Sequence, residues 1–304
     1  MRHALIRLLI PLLLLVSYSS QADQYQTPYL WRVVAPGIEG QSSYLFGTIH
    51  SAHPELNRLP DVVVSSFQQA DAFYGELDMS PTAMLLAAQT FIIADGGSLL
   101  STLSPQRQAR INRVLANIHP DLSLTAMAQL KLWALTATLP LLEDQVRHGS
   151  QIAMDMRLYQ QAQQNGKQVG GLETIDEQAD VFESFNEQDN LTMLDSTLEY
   201  IEKAQLQQRP IMEETYQAYA TGDPTTFDRL LKQQMSLPQP LLDDLLDRLL
   251  ADRNQRMAER IHKLLQDQPR TSFFFAVGAA HYSEDEGIQK LLAEYGYRVS
   301  RVKP

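Results

Sequence analysis

The chain has 304 residues, of which 44% are hydrophobic and 20% charged, and its net charge is −11. This composition excludes a disordered chain, a collagen-like chain and a protein with many membrane spans. The acidic balance, with no visible basic patch, argues against a nucleic-acid partner. The chain has no cysteine, which excludes disulfides, thiol nucleophiles and thiolate metal sites.

The first 22 residues have the features of a secretory signal peptide. A basic start with Arg2 and Arg7 precedes an apolar run over residues 8–16, and a small-x-small cleavage pattern ends at Ala22. We therefore expect the mature chain, residues 23–304, to be exported to the periplasm or secreted. The apolar run is about half of the roughly 20 residues that a spanning helix needs, so an uncleaved membrane anchor is the less favoured alternative.

The amino-terminal third predicts the order β-β-α-β. Residues 29–36 and 43–49 are rich in aromatic and β-branched side chains and are separated by two glycine-containing turns, which indicates a hairpin or two neighbouring strands. Residues 60–70 fit a short helix with one apolar side. Residues 72–77 form a further short apolar run, which predicts a third strand.

The middle of the chain predicts helices. Apolar residues recur at helical spacing from residue 80 to about 162 and again from 175 to about 266, and a short strand is expected at 167–172. Within the second helical stretch an apolar stripe favours core packing over a partner-binding helix. Its members are Leu241, Leu242, Leu245, Leu246, Leu249 and Leu250.

The carboxyl-terminal part returns to strand patterns. Residues 271–277 form a strongly apolar run that predicts a strand buried on both faces. A helix with acidic residues in its first turn is expected over 284–295, and a closing strand over 297–302. The fold class is therefore predicted to be α/β, as one domain whose sheet is built from both chain ends. A helical block at about 80–265 would pack over this sheet.

Two matching motifs follow predicted strands. Gly47-Thr48-Ile49-His50 and Gly278-Ala279-Ala280-His281 each continue an apolar strand into Gly-x-x-His. Ligands of α/β sheets collect beyond the carboxyl ends of the strands, where a glycine lets the backbone turn. We expect His50 and His281 to lie close together there, although two surface histidines in loops are an open alternative.

The third strand carries a carboxylate, Glu76, within its apolar run. A carboxylate in such a run is costly to bury unless it is paired or binds a cation. Two imidazoles and one carboxylate suit Zn, Mn, Co or Fe. His50, Glu76 and His281 are therefore the candidate metal ligands, and Glu76 could instead be the general base. Asp78 follows on the same strand face and could serve as an orienting group or base.

Common hydrolase motifs are missing from the chain. No His-Glu-x-x-His helix, no Gly-x-Ser-x-Gly elbow, no phosphate-binding loop and no dinucleotide fingerprint occurs. Ser42 and Ser43 have no visible partner base, which argues against a serine nucleophile. An ordinary zinc peptidase and an ordinary serine hydrolase are thus disfavoured.

Several segments together resemble the TraB/GumN family, which is similar to the Tiki metalloproteases. They cover nearly the whole mature chain in the family's order: residues 44–50, Glu76, residues 171–174 with Gln178, Arg253-Asn254, and residues 277–297 with their Gly-x-x-His. The resemblance implies an α/β fold distantly similar to the erythromycin-esterase and ChaN-like group. It also implies an active site at His50, Glu76 and His281, and a Mn- or Co-dependent peptidase activity.

Other polar residues have two interpretations each. Arg253 matches the family's Arg-Asn pair and is a candidate catalytic residue that stabilises an oxyanion, or it pairs with Glu173 to hold the fold together. Asp155 lies on a predicted helix and could face the site or the solvent. His53 is expected to be a solvated loop residue.

Three hypotheses for the function follow. The leading one is an exported metal-dependent hydrolase, most of all a peptidase, that acts on a peptide or a small ester or amide. The second is a metal-free esterase-like hydrolase with His50 as general base, oriented by Glu76. The third is a non-catalytic binding or envelope-assembly protein. The oligomeric state is left open.

Overall fold

The computed structural model describes residues 27–38, 40–149 and 151–303. The predicted signal peptide, residues 1–22, lies outside the described residues. The described chain contains one mixed sheet and a long helical stretch between its third and fifth strands. The predicted α/β class, with strands from both chain ends and a helical middle, is confirmed.

Six strands form the sheet in the order β4-β3-β5-β2-β1-β6. In chain order they are β1 Leu30–Val34, β2 Ser43–Thr48, β3 Ala72–Leu77, β4 Gln168–Glu173, β5 Phe273–Gly278 and β6 Arg298–Arg301. The first four strands in the sheet order pair in parallel, whereas β1 is antiparallel to both of its neighbours. The carboxyl ends of β2, β3, β4 and β5 therefore lie at one edge of the sheet.

The central strand is β5. All residues from Phe273 to Val277 are buried, because β3 and β2 flank the strand and both faces of the sheet are covered. An unbroken apolar run is what a strand covered on both faces requires. The predicted hairpin of β1 and β2 is also present, with Leu30 opposite Phe46.

Thirteen α-helices connect these strands in the described part of the chain. They are α1 Asp61–Gln69, α2 Pro81–Thr90, α3 Leu99–Thr102, α4 Pro105–Ile118, α5 Leu132–His148, α6 Met154–Gln164, α7 Ile175–Glu183, α8 Glu187–Leu206, α9 Glu213–Ala220, α10 Pro224–Gln234, α11 Gln239–Leu246, α12 Asp252–Asp267 and α13 Ile288–Glu294. One turn of π-helix, Asp247–Ala251, joins α11 to α12 without a break.

Local signals explain where several helices begin. The side chain of Thr174 accepts a hydrogen bond from the Glu177 amide, and the Glu177 carboxylate accepts one from the Thr174 amide, so α7 begins with a capping box. Ser104 caps α4, and Pro105 occupies the first helical position as its sequence predicts.

The buried apolar side chains form two large clusters. One covers both faces of the sheet and includes Phe274 and Leu158 of α6. The other lies between helices of the middle block and includes Leu135 and Leu198, which are fully buried. The helical block thus has a hydrophobic core of its own beside the core of the sheet.

Two predictions about the carboxyl-terminal half are corrected. The helix expected from residue 284 begins at Ile288, because the main-chain oxygen of Glu286 accepts a hydrogen bond from the Asn254 side chain and holds the acidic residues in a turn. The leucine stripe is not uniformly core. Among its members Leu245 is buried, and the other five are half-buried.

None of the described helices has the length and apolar character that crossing a membrane requires.

Candidate functional site

Both Gly-x-x-His motifs lie side by side at the carboxyl edge of the sheet. Strands β2 and β5 pair in parallel, with Gly47 opposite Val277 and Thr48 opposite Gly278. On the other side of β5, Gly75 of β3 lies opposite Ala276. His50 and His281 therefore follow β2 and β5 at the same edge at which Glu76 lies near the end of β3.

Glu76 is held by donors on both of its carboxylate oxygens. Its Oε1 accepts a hydrogen bond of 2.6 Å from the Gly278 amide, and its Oε2 accepts bonds of 2.7 Å from Arg253 and 3.2 Å from Gln178. Burial raises the pKa of this carboxyl, but the charge of Arg253, the two nearby histidines and the Gly278 amide outweigh it and lower the pKa. Glu76 is therefore ionised at neutral pH.

Arg253 joins Glu76 to a second carboxylate. Its Nε and Nη2 donate to Glu173 Oε2 at 2.9 and 2.8 Å, and Nη1 donates to the Leu249 carbonyl oxygen at 3.1 Å. The Arg253 side chain is 7% exposed and that of Glu173 is fully buried. The two carboxylates overcome the effect of burial and raise the pKa of Arg253. The pairing of Arg253 with Glu173, one of its two interpretations from the sequence, is present, and it extends to Glu76.

His281 is buried and oriented by Asn254. The Nδ1 of His281 lies 2.7 Å from Asn254 Oδ1, and the amide nitrogen of Asn254 donates to the Glu286 carbonyl oxygen. With Oδ1 as the acceptor, the proton of a neutral His281 sits on Nδ1 and Nε2 carries a free lone pair. Burial and the charge of Arg253 lower the pKa of His281 to about 3, so the ring is neutral at physiological pH.

His50 is exposed and paired with Asp155. Its Nδ1 lies 2.8 Å from Asp155 Oδ2, and its side chain is 59% exposed. The charge of Asp155 raises the pKa of His50 to about 9 against the opposing effect of desolvation, and Glu76 adds to the increase. The two histidines thus differ in charge, with His50 cationic and His281 neutral.

Gly278 leaves room between the carboxylate and the buried imidazole. A Cβ at this position would lie 2.9 Å from Glu76 Oε1 and 3.7 Å from His281 Cδ2. A side chain here would push the Glu76 carboxylate away from the Gly278 amide, which donates a hydrogen bond to it. The second motif therefore requires a glycine at this position, because the main chain passes too close to Glu76 for a side chain to fit.

Other residues singled out from the sequence take different places. Asp78 is exposed and accepts a 2.6 Å hydrogen bond from Tyr159, so it lies away from the Glu76 network and does not orient it. His53 is half-buried and stacks on Tyr216 at 4.2 Å between ring centroids, so the expectation of a solvated loop residue is wrong. Asp155 does reach the site, through its contact with His50.

Two side chains that orient the site, Gln178 and Asn254, belong to the segments singled out in the sequence, but the sequence alone gives them no hydrogen-bonding role. Gln178 of α7 contacts Glu76, which is 102 residues away in the sequence, and Asn254 of α12 contacts His281, which is 27 residues away. The spacing of these residues carries no signal of either contact. Within the described residues, no three His, Asp or Glu side chains lie in an arrangement that could hold a metal ion.

Comparisons with known proteins find sequence similarity over most of the chain. The model of the TraB/PrgY/gumN family matches residues 29–301. The chain belongs to this family. Its curated relatives include the Metalloprotease TIKI2 of Danio rerio, 27% identical over 94% of this chain and 62% of the relative. The Metalloprotease TIKI1 of Homo sapiens is 25% identical over 84% of this chain and 59% of the relative.

This TraB/PrgY/gumN member covers only part of the length of the relatives that it matches. It spans about three-fifths of the length of those two proteins, and 64% of the Metalloprotease TIKI homolog of Amphimedon queenslandica, which is 27% identical. No solved structure matches the chain. The resemblance inferred from the sequence motifs is confirmed at the level of the family.

Proposed function

We propose that this protein is an exported, metal-dependent hydrolase that cleaves peptide bonds, with His50, Glu76 and His281 as metal ligands and Arg253 beside them. One observation carries the proposal. Parallel pairing of β2, β5 and β3 brings the two Gly-x-x-His motifs and the ionised Glu76 to one edge of the sheet. The relatives named as metalloproteases support the reaction class.

The chemistry of the donors fits a divalent metal. Each imidazole has its Nδ1 engaged, by Asp155 for His50 and by Asn254 for His281, which leaves Nε2 for a ligand. This arrangement of an outer partner on the second ring nitrogen is typical of histidines that bind metals. As they stand, the described side chains do not form a group of three that could hold a metal ion. Binding therefore requires a side-chain movement, and His50 is the ligand with the most room for it.

The metal would supply Lewis acidity and a water of lowered pKa. The resemblance to Tiki proteins favours Mn or Co, and the same donor set also suits Zn or Fe. The protein's own residues would keep the ligands in their binding states. Arg253 holds Glu76 ionised, and burial holds His281 neutral. A metal must also displace the proton of His50, so its affinity is expected to rise with pH.

Arg253 is proposed to act first as the partner of the two carboxylates. It already donates to Glu76, Glu173 and the Leu249 carbonyl oxygen, which occupies most of its N–H groups. The oxyanion-stabilising role remains a proposal, and it would use the part of the guanidinium that these acceptors leave free.

The metal-free alternative needs a different base from the one first expected. His50 Nδ1 contacts Asp155 and not Glu76, and the raised pKa keeps His50 protonated at neutral pH. The free Nε2 of neutral His281 is the better general base for a reaction without metal, although a conjugate acid of such low pKa makes it a weak one.

Metal analysis decides between these alternatives. The protein is purified without a His tag or chelator, its metal content is measured, and cleavage of a quenched peptide library is assayed before and after dialysis against a chelator. Stoichiometric Mn, Co, Zn or Fe, with activity lost on chelation and restored by the metal, is the expected result. Active protein without metal supports the metal-free hydrolase. Neither metal nor activity supports a binding protein.

One substitution, Glu76→Gln, assigns the role of Glu76. A Glu76→Gln variant that loses the metal identifies a ligand, and one that keeps the metal but loses turnover identifies a base. His53→Ala, on the segment that follows His50, is the control and is expected to leave metal content and activity near those of the wild type. A His281→Ala variant with normal activity contradicts the proposed site.

Export is tested separately. Amino-terminal sequencing of protein from the native cell is expected to begin at Asp23, because cleavage is predicted after Ala22. A chain that retains Met1 would contradict removal of the leader.

A further inference from the structure

The leucine stripe of α11 and the π-turn separates two cavities. Leu245 and Leu249 line an apolar pocket, whereas Leu242, Leu246 and Leu250 line a larger groove on the other side. This explains why most of the stripe is half-buried. The stripe is therefore not fully used by core packing, and the pocket on its Leu245 side has no role in the proposed hydrolysis.

The pocket has a volume of about 230 Å³ and lies among α5, α8, α10 and the π-turn. None of the described residues that line it is charged. Three methionines, Met193, Met212 and Met235, contribute to its wall. Unbranched thioether side chains adapt to irregular ligands, whereas a charged ligand would find no partner there.

One side of the pocket carries a connected polar group. The side-chain amide of Gln234 donates to Tyr200 Oη at 2.9 Å and to Thr215 Oγ1 at 3.1 Å, and Tyr200 Oη donates to the Ile211 carbonyl oxygen. All three polar side chains line the pocket. They hold one another in place, so a single polar end of a ligand would meet an ordered set of donors and acceptors.

The size of the pocket sets the size of the ligand. A dry apolar cavity of about 150 Å³ is enough to bind benzene. We propose that this pocket binds an uncharged, mainly apolar small molecule of about ten non-hydrogen atoms with one hydrogen-bonding group directed at Gln234. The proposal is independent of the hydrolase activity and can be tested without it.

The pocket also borders the candidate active site through the main chain. The Leu249 side chain lines the pocket while its carbonyl oxygen accepts the hydrogen bond from Arg253. Leu249 lies in the π-turn, and such turns are frequent at functional sites. A ligand in the pocket therefore contacts a residue that holds Arg253.

Indole is the probe for the first experiment. It is uncharged and has one N–H group, and benzoate, with the same number of non-hydrogen atoms, is the charged control. Titration calorimetry on the full chain is expected to show saturable binding of indole and none of benzoate. Methyl-labelled methionines locate the site. Indole should shift the resonances of Met193, Met212 and Met235, and leave those of Met154 and Met257 in place.

Three variants complete the test. Ala137→Phe, which fills the pocket from α5, is expected to weaken indole binding at least about tenfold, whereas Ala116→Phe, on an exposed position of α4, should not change it. Gln234→Met should weaken indole binding but leave benzene binding within about twofold. Failure of folded wild-type protein to bind indole and benzene overturns the proposal, as does indole binding that shifts other methionines instead. Binding and the methionine shifts are both measured on the wild type, so these two outcomes do not depend on whether a variant folds.

Discussion

Removal of the Arg253 charge should be among the most damaging single changes in this chain. Arg253 is the cation between Glu76 and Glu173, and three of its four hydrogen bonds go to these carboxylates. Breaking a buried ion pair from one side typically costs about 3–5 kcal/mol, because a buried charge is left without its partner. Glu173, which is fully buried, keeps only a 3.4 Å contact with Arg256 and one with Gln178 among the described residues.

An Arg253→Met variant keeps most of the side-chain volume and removes the charge. We expect its free energy of unfolding at pH 7 to fall by about 4 kcal/mol, measured by urea denaturation with circular dichroism and tryptophan fluorescence. Neutralising the carboxylates as well, in Glu76→Gln/Glu173→Gln/Arg253→Met, should recover at least about 1.5 kcal/mol, since no unpaired charge remains.

Two results would refute this reasoning. An Arg253→Met variant within about 1 kcal/mol of the wild type would mean that water or other cations already compensate the two carboxylates. A triple variant no more stable than the single one would mean that Arg253 stabilises the fold through packing and its bond to the Leu249 carbonyl oxygen, and not through charge.

Two further predictions concern the second glycine motif and the start of α7. Gly278→Ala should abolish activity and lower the free energy of unfolding by about 1–2 kcal/mol, because the new Cβ meets Glu76 Oε1. The control is Gly37→Ala, which is strained at φ +73° but lies in open space, and it should lose similar stability and keep activity. An active Gly278→Ala enzyme would contradict the close approach of Gly278 to Glu76. Arg260 hydrogen bonds lower the pKa of Glu177 to about 2, so this pair stabilises the fold above pH ~4.5 and the contribution is lost as the pH falls towards 2. Because both side chains are partly exposed, we expect Glu177→Gln to cost about 1 kcal/mol at pH 7. In acid-titrated unfolding curves the cost should be much smaller at pH 2, where about half of the Glu177 carboxyls are protonated, and a cost that does not change with pH would contradict this.

Strand positions could be predicted closely because the sequence signals of a short strand are local. The run at 271–277 corresponds to β5, Phe273–Gly278, and the run at 167–172 corresponds to β4, Gln168–Glu173. The order of strands in the sheet depends on pairing between distant segments, and nothing in one sequence displays it. The same holds for the pairing of β1 with β6, whereas the hairpin of β1 and β2 joins neighbours in the sequence and could be predicted.

The sequence predicted the motif residues of the candidate site but not the side chains that hydrogen bond to them. A glycine and a histidine that follow an apolar strand form a local pattern, and so does a carboxylate within an apolar strand. The pairings of Asn254 with His281 and of Asp155 with His50 join the end of a strand to a helix 27 and 105 residues away, and no local pattern displays them. The start of α13 could not be predicted for the same reason, since the Asn254 side chain holds the turn that precedes it.

The sheet cannot be completed until β5 has been synthesised, because β5 is a central strand that comes late in the chain. This strand is synthesised after the entire helical middle, yet it pairs with β2 and β3, which leave the ribosome early. Until β5 arrives, those two strands lack the neighbour that lies between them, and pairing across such a sequence separation is slow. A chain that stops before residue 273 lacks the centre of its sheet and exposes unpaired strand edges, which favour aggregation. The amide that binds Glu76 and the buried imidazole arrive with this same last segment, so the site cannot form on an unfinished chain.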